Sequence, residues 1–303
     1  MNLNQLRFAR AVAESGSFSR AAEACFVTQP TLSNAIVQLG EELGGRLFHR
    51  TTRSVSITPF GRHMLPLIEA VLEAREELIH SAEAYHNPAH KLIRVGLSPL
   101  IDMPLLDRLL APYREANPEV EIFYKQCFLD DMERRIDQGA VDVALVPRRL
   151  ARIGRERCAL YHEPLYFLPR ESDAAPPPES APQPLAVHGG EAVILTNGCG
   201  LSDAIGDLYK GEGVELRPYP GQALSYRVVE EWAGLGIGAG ILPRSKLSAG
   251  NPAAHPIALD EGAVAQIHYE AQWLPEVLES PHVAEFIDHL REVVPAMVGG
   301  MAA

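Results

Sequence analysis

The chain has 303 residues, a hydrophobic content of 47% and a formal net charge of −12 at pH 7, values that predict a globular protein of two or three domains. Its four cysteines are scattered without a CxxC motif, which argues against a zinc site and against a disulfide-stapled secreted fold. No apolar run reaches about 18 residues and no signal sequence is visible, so we expect a reduced, cytoplasmic protein without a membrane partner.

The charge is unevenly distributed along the chain. Residues 1–62 contain seven Lys or Arg and four Asp or Glu, a net charge of +3, so residues 63–303 must carry −15. A nucleic-acid contact requires only local positive charge. We therefore expect a mildly basic N-terminal head that binds DNA and an acidic body that DNA repels.

The N-terminal residues show the pattern of a helix-turn-helix followed by a hairpin. Apolar spacing predicts a helix over 3–15 that ends at Gly16. Ser17 or Ser19 is placed to cap a second, short helix, and Thr28 to cap a third. Two helices across a tight turn predict a helix-turn-helix. The alternation in RLFHRTTRSVSIT then predicts a small β-hairpin, or wing.

A long helix and two sets of alternating elements follow. From Phe60 to Tyr85 apolar residues recur mostly at gaps of three and four, the spacing of the apolar stripe of a coiled coil. This spacing predicts a dimerisation helix, which Pro66 should bend. The segment 86–91 predicts a hinge. Beyond it, strands and helices alternate on both sides of the proline-rich stretch AAPPPESAPQP, which predicts parallel α/β packing in two lobes with a cleft between them.

The stretch SFSRAAEACFVTQPTLSNAIVQLGEELGGRLFHRTTRSVSITPFG, residues 17–61, resembles the N-terminal signature of LysR-type transcriptional regulators. A weaker resemblance continues through VGLSPLIDMPLLDRLL, QGAVDVALVP and WAGLGIGAGILPRS. It implies an all-α winged helix-turn-helix followed by an α/β effector domain whose two lobes resemble periplasmic binding proteins. The boundaries we expect are 1–58 for the DNA-binding domain, 59–87 for the linker helix and 88–303 for the effector domain, with lobe I at about 91–163 and 269–295 and lobe II at about 164–268.

The resemblance also implies function and partners. Members of this family bind promoter DNA as homodimers or homotetramers, and a small molecule in the cleft changes how they bind or bend it. We therefore expect a sequence-specific regulator that has no cofactor and that acts on RNA polymerase. An enzyme on the same two-lobed scaffold is the alternative from another class, but no catalytic constellation is visible in the sequence.

The recognition helix is expected to enter the major groove with its N-terminal residues first. The residues expected to face DNA are Thr28, Gln29, Pro30, Thr31, Ser33 and Asn34. Gln29 and Asn34 are suited to bidentate contacts with adenine. The family often has arginine at the position of Asn34, and no Lys or Arg follows before Arg46, so we expect amide contacts and DNA shape to carry specificity. Arg50 and Arg53 of the wing are suited to phosphate or a narrow minor groove.

The effector site implied by the family lies between the lobes, at the carboxyl ends of strands. Helix starts there would offer hydroxyl and amide groups as an anion cradle, and Arg148 would supply a cation. This predicts a small carboxylate ligand. The residues expected to line the site are Ser98, Pro99, Leu100, Ile101, Arg148, Asn197, Gly198, Cys199, Ser202, Gln222, Ser225 and Tyr226.

Cys199 carries a second hypothesis for the effector. Peroxide-sensing members of the family place a reactive cysteine in this region and a resolving cysteine several residues on. Cys199 stands near a predicted helix N-terminus, a position that favours the thiolate. The following segment LSDAIGDLYKGEG contains no cysteine, which excludes a disulfide within this loop but leaves a sulfenic acid or a distant partner open. The simpler interpretation is a small residue that lines the pocket.

Overall fold

The computed structural model describes residues 1–50, 55–86, 91–148, 154–170, 181–248, 254–259 and 262–301. The chain divides into two compact units, Met1–Pro88 and Ala89–Ala303, here called the head and the body, and their apolar cores are separate. Among the described residues, no helix combines the length and the apolar character that crossing a lipid bilayer requires.

Three short helices open the head, and local caps fix where they begin and end. They are α1 (Leu3–Ser15), α2 (Phe18–Ala24) and α3 (Gln29–Leu43). Gly16 ends α1 with a left-handed φ of 61°, which favours glycine. Ser17 and Thr28 each accept a hydrogen bond from the amide three residues on, as predicted. Ser19, the other predicted cap, lies inside α2 because that helix already starts at Phe18.

The head is held together by one face of each helix. Leu32 and Leu39 of α3 are fully buried, and they share a core with Leu6 and Val12 of α1. The predicted wing is present as an antiparallel pair of strands, β1 (Phe48–Arg50) and β2 (Val55–Ile57). The opposite face of α3 is left for solvent or for DNA.

The long helix α4 (Pro59–His86) lies within the head, and its N-terminal half packs against the core of that unit. Ile68 and Leu72 are buried in the core of the head. Ile68 is one of the apolar residues of the predicted coiled-coil stripe, and that prediction is wrong for it. Further along, Leu78 is 71% exposed. The predicted hinge is shorter than 86–91, because α4 includes His86 and the next strand begins at residue 91, while 87–90 lie outside the described residues.

The body is built from ten strands and six helices of α type among the described residues. Its strands are β3 (Lys91–Leu97), β4 (Val120–Gln126), β5 (Val143–Pro147), β6 (Glu156–Leu168), β7 (Gln183–Pro184), β8 (Ala192–Leu195), β9 (Arg217–Gln222), β10 (Ala239–Pro243), β11 (His255–Ala258) and β12 (Gln266–Trp273). Its helices are α5 (Met103–Ala116), α6 (Leu129–Asp137), α7 (Leu201–Gly211), α8 (Tyr226–Gly234), α9 (Pro281–Asp288) and α10 (Val294–Met301).

Two parallel strand sets form two lobes, and a long strand joins them. The sheet order is β4-β3-β5-β12-β6-β10-β8-β9, with β3, β4 and β5 parallel in lobe I and β8, β9 and β10 parallel in lobe II. The N-terminal part of β6 pairs with β12, and its last four residues pair with β10, antiparallel in both cases. This confirms the predicted α/β fold with two lobes, although β6 itself was not predicted from the sequence.

A buried carboxylate fixes the place where β6 passes between the lobes. Glu163 is only 9% exposed, and its oxygens accept hydrogen bonds from the Tyr269 hydroxyl at 2.7 Å and from the amide and hydroxyl of Ser245 at 2.8 and 3.0 Å. Burial, and then the charge of Glu163, raise the pKa of Tyr269, so its hydroxyl remains a donor. The charge of the carboxylate is thus compensated by three hydrogen bonds.

We expect Glu163→Gln to lower the free energy of unfolding of the body by about 1–3 kcal/mol, because the amide replaces charge-assisted bonds and turns an N–H group towards other donors. Urea unfolding followed by the fluorescence of Trp232 and Trp273, both of which lie in the body, measures this. The matched control is Glu231→Gln, which breaks an exposed pair with Arg227 and should change stability by less than about 0.5 kcal/mol. Equal effects of the two substitutions would contradict the assigned role of Glu163.

Candidate functional site

The N-terminal end of α3 presents a polar surface. Thr28, Pro30, Thr31 and Asn34 are exposed, whereas Gln29 and Ser33 are partly buried. The hydroxyls of Thr28 and Thr31 are hydrogen-bonded to each other at 2.8 Å. All six residues expected to contact DNA therefore lie in the first turns of α3 or at its cap, and the buried leucines of the helix hold that end fixed to the head.

The turn between α2 and α3 carries a residue that the sequence analysis did not single out. Phe26 is 95% exposed and has a φ of 57°, a left-handed conformation that is uncommon for any residue but glycine. Its ring is therefore an exposed aromatic surface beside the start of α3. No pattern in the sequence distinguishes it from a core aromatic of the turn.

Of the two arginines expected in the wing, Arg50 belongs to the described residues and Arg53 does not. Arg50 is the last residue of β1, and its backbone lies opposite Val55 of β2. Arg53 lies outside the described residues. The hairpin that carries them is fixed at its base by Thr58, whose amide and hydroxyl both donate to the carbonyl of Leu47.

In the body, the lobes meet at a polar contact that we call the seam. The hydroxyl of Ser98, at the end of β3, donates to the carbonyl of Cys199 at 2.9 Å. The amide of Leu129, at the start of α6, donates to the carbonyl of Gly198 at 2.7 Å. The ammonium of Lys246 donates to the carbonyl of Ile101 at 2.9 Å. Each bond joins a residue of lobe I to one of lobe II, and each acceptor is a backbone carbonyl.

Two glycines allow the loop before α7 to approach lobe I. Gly198 and Gly200 have φ of 79° and 93°, values that residues with a side chain rarely adopt. A Cβ atom on Gly200 would lie 2.9 Å from Leu129 and 3.1 Å from Pro147, and one on Gly198 would lie 3.0 Å from the ring of Phe128. A side chain at either glycine would therefore separate the lobes at the seam.

Cys199 lies at the centre of a small cluster of polar groups in lobe II. Its Sγ is 3.4 Å from the hydroxyl of Thr196, and the side chain is only 2% exposed. Burial, and then the neighbouring Cys199, raise the pKa of Tyr226. The Lys246 ammonium lies 5.8 Å from the centroid of the Tyr226 ring. Burial lowers the pKa of Lys246, while the charges of Glu163 and other acidic groups oppose that change.

The anion cradle expected at residues 98–101 is already occupied by the protein's own groups. The Ser98 hydroxyl accepts a bond from the amide of Leu100 in addition to donating across the seam, and the amide of Ile101 donates to the Ser98 carbonyl. The next helix begins only after Asp102, which caps α5. Ser98, Leu100 and Ile101 are buried, while Pro99 is partly buried.

The other predicted effector residues are spread around the cluster. Ser202 donates to the carbonyl of Thr196, and Ser225 caps α8 by accepting from the amide of Val228 at 3.3 Å. Gln222, at the end of β9, and Asn197 are exposed.

Arg148 is exposed as well and lines a cavity of about 490 Å³ between α6 and α7. The cations of the site therefore lie apart, with Lys246 at the seam and Arg148 at this cavity.

In the body, Lys246 and Glu163 are residues that the sequence analysis did not single out, as Phe26 is in the head. Lys246 follows β10 in the segment ILPRSKLS. The rule that carboxyl ends of parallel strands converge on the cleft indicates the predicted residues after β3, β5, β8 and β9, and for β10 it indicates this lysine. Among the described residues, no group of three His, Cys, Asp or Glu side chains is placed to hold a metal ion.

Comparison with known proteins accounts for both units. Residues 3–62 match the family described as "Bacterial regulatory helix-turn-helix protein, lysR family", and residues 86–295 match the "LysR substrate binding domain". A probable hydrogen peroxide-inducible genes activator of Mycobacterium xenopi is 35% identical over 158 residues, which are 52% of this chain and 84% of that protein. The DNA-binding transcriptional dual regulator OxyR of Escherichia coli (strain K12) is 28% identical over 247 residues, 80% of this chain and 79% of that protein.

A solved structure agrees with these matches in fold. The crystal structure of CbnR, a LysR family transcriptional regulator, aligns with a TM-score of 0.60 at 20% identity and covers 97% of this chain and 99% of that one. At this identity the likeness shows the fold alone. These relatives are transcriptional regulators rather than enzymes. The chain, with a matched helix-turn-helix and a matched substrate-binding domain, belongs to the LysR family of DNA-binding bacterial transcriptional regulators.

Proposed function

We propose that this regulator binds a dyad promoter site through the first turns of α3 and the wing, and that a small effector held between the lobes changes this binding. The observation that carries the proposal is the seam, where Ser98 of lobe I is hydrogen-bonded to the Cys199 carbonyl of lobe II at 2.9 Å. A ligand that competes for these groups would change the balance between lobe contacts.

The DNA contact is supported by the exposed polar end of α3 and by the positive net charge of residues 1–62. Gln29 and Asn34 are suited to adenine, and Arg50 and Arg53 to the backbone. The acidic body restricts DNA to this surface because it repels phosphate.

We expect Gln29→Ala to weaken binding to a dyad promoter fragment by about 1–3 kcal/mol, because a bidentate contact with a base is lost. Fluorescence anisotropy over a series of salt concentrations measures both affinity and the slope of log K against log salt. The slope should stay the same, since no charge is removed.

The matched control is Gln38→Ala, an exposed residue of the same helix that lies about two and a half turns beyond Gln29 and about one turn beyond Asn34. It should change the affinity by less than about 0.5 kcal/mol. Equal losses in both variants, or no loss in Gln29→Ala, would contradict the placement of base contacts at the start of α3.

The effector is proposed to be a small carboxylate. Lys246 supports this choice. Its partly buried ammonium donates to a neutral carbonyl oxygen at the seam, and a carboxylate ligand would give it a negatively charged acceptor. Pairing with a carboxylate would oppose the lowering of the Lys246 pKa by burial. Arg148, at the cavity between α6 and α7, remains the second proposed cation.

Assembly is proposed to occur through α4 in the cytoplasm. Leu67, Val71 and Leu78 are 53%, 45% and 71% exposed, and their spacings of four and seven residues place them on one face of the helix. A second copy of the chain would cover that stripe. Homodimers formed this way, paired into homotetramers on DNA, would then act on RNA polymerase at the promoter.

A hydroperoxide is the second candidate effector, with Cys199 as its target. The relatives that are named as hydrogen peroxide-inducible genes activators favour it, and the Thr196 hydroxyl beside Sγ offers a hydrogen bond to a peroxide oxygen. Attack by the Cys199 thiolate would break the O–O bond, give a sulfenic acid and release water or an alcohol. Residues 200–211 contain no cysteine, so no disulfide forms within α7.

Peroxide treatment followed by promoter binding tests the second candidate. We expect treatment to change the affinity of the wild-type protein and of Cys158→Ser, but not that of Cys199→Ser. Cys158 is the matched control because burial raises its pKa to about 11, which leaves little thiolate at neutral pH. No change in the wild-type protein would exclude the hydroperoxide and leave the carboxylate effector as the proposal.

A further inference from the structure

The strands that join the lobes carry two histidines directly opposite each other. His162 of β6 is paired in register with His268 of β12, and their ring centroids are 5.4 Å apart with an interplanar angle of 36°. Both side chains are exposed. The register of the β6–β12 pair shifts immediately after His268, as at a β-bulge. Bulges redirect side chains and are common beside binding sites.

A third basic side chain lies beside the two imidazoles. The amide of Arg148 donates to the carbonyl of His268 at 2.7 Å, which places this arginine next to the pair. Within the part of the chain that the structure describes, the Arg148 guanidinium has no hydrogen-bonding or ionic partner. Its donors are therefore available to a ligand.

These three side chains line a cavity of about 260 Å³, which we call the hinge pocket. Its other charged groups are Arg157 and Glu270, which are paired with each other at 3.4 Å. The pocket thus has a guanidinium and two imidazoles, and its one carboxylate among the described residues, Glu270, is already paired with Arg157. Burial lowers the pKa of His268, and the proximity of His162 and Arg148 lowers it further, as expected where basic groups crowd without an anion.

We propose that the hinge pocket binds a phosphoryl group, with Arg148, His162 and His268 as donors. A guanidinium fork and two ring N–H groups match the several acceptor oxygens of a tetrahedral phosphate. A metal ion is disfavoured, because the guanidinium would repel it and no three His, Cys, Asp or Glu side chains of the described residues are placed to hold one. The site is separate from the seam, although Arg148 also lines the cavity that is proposed to hold the effector.

The position of the pocket gives such a ligand an effect on the body. His162 immediately precedes Glu163, whose carboxylate is bonded to Tyr269, the residue after His268. A phosphoryl group held between the two histidines would therefore stabilise the paired arrangement of β6 and β12, where the chain passes from one lobe to the other.

The test is calorimetric titration of the full chain with inorganic phosphate at about pH 6.5, where imidazoles are partly protonated, at constant ionic strength. We expect His162→Gln and His268→Gln each to weaken phosphate binding about tenfold, the equivalent of one charge-assisted hydrogen bond. His63→Gln is the matched control, since His63 is an exposed histidine of α4 in the other unit, and it should leave the affinity unchanged. Tryptophan fluorescence of each variant verifies that the body is folded.

A second titration, with glycerol 3-phosphate, distinguishes the two possible sources of the phosphoryl group, which are a phosphorylated metabolite and the free phosphate ion. Equal or tighter binding of the monoester supports a phosphorylated metabolite as the ligand, and binding of inorganic phosphate alone supports the free ion. The proposal is overturned if neither compound binds, or if the three histidine variants bind phosphate with the same affinity. Arg148 is left unchanged throughout, so that failure here is distinguishable from failure of the proposed interlobe effector.

A titration with sulfate at about pH 6 and pH 8 provides an independent check, because sulfate stays doubly charged over this range while imidazoles lose their charge. The other ionisable groups of the pocket are Arg148, Arg157, Glu270, Cys158 and Tyr161. Burial raises the pKa of Cys158 to about 11 and that of Tyr161 as well. Sulfate affinity should therefore fall as pH rises. An affinity that does not change with pH would contradict the role of the histidines.

Discussion

The body depends on one buried carboxylate at the place where the chain passes between its lobes. Glu163 has little access to water, and a buried charge is tolerated only when it is compensated. Its partners come from two further segments, Tyr269 on β12 and Ser245 after β10. The carboxylate thereby ties together the outgoing strand, the returning strand and the end of a lobe II strand. These hydrogen bonds fix the relative positions of β6, β12 and the end of β10, the segments that connect the two lobes.

The contact between the lobes is of a different kind. At the seam, Ser98, Leu129 and Lys246 donate to backbone carbonyls across the lobe boundary. The two neutral bonds contribute about 0.5–1.5 kcal/mol each and the bond of the Lys246 ammonium about 1.5–3 kcal/mol, less than the apolar core of the body, which is one cluster with members in both lobes. The seam is therefore the part of the body that a ligand can replace at moderate free-energy cost, while the lobes stay folded. In the function that we propose, this difference gives an effector domain in which β6 and β12 stay fixed while a ligand changes the contact between the lobes.

The sequence predicted the parts of the fold whose determinants are local. Gly16, Ser17 and Thr28 act through their own turns, so the helix-turn-helix could be placed from a few residues. Strand β6 was missed because it contains Pro164, has charged residues along its length and changes partner from β12 to β10, so no single alternation runs through it. The occupied cradle at Ser98 was also unpredictable, since its partner Cys199 lies 101 residues away. Lys246 could have been found by the rule already applied to other strands.

The central claim is that the seam opens while each lobe remains folded, and amide hydrogen exchange of the full chain tests it most directly. The amide of Leu129 donates across the seam to Gly198, whereas the amide of Ser98 donates within lobe I to the carbonyl of Leu145 at 3.0 Å. Both residues are buried, so burial alone gives no reason for them to differ. The account predicts that the Leu129 amide exchanges faster than the Ser98 amide, through local opening of the seam. Equal exchange rates for the two amides would mean that the seam opens only when lobe I unfolds, and would contradict it.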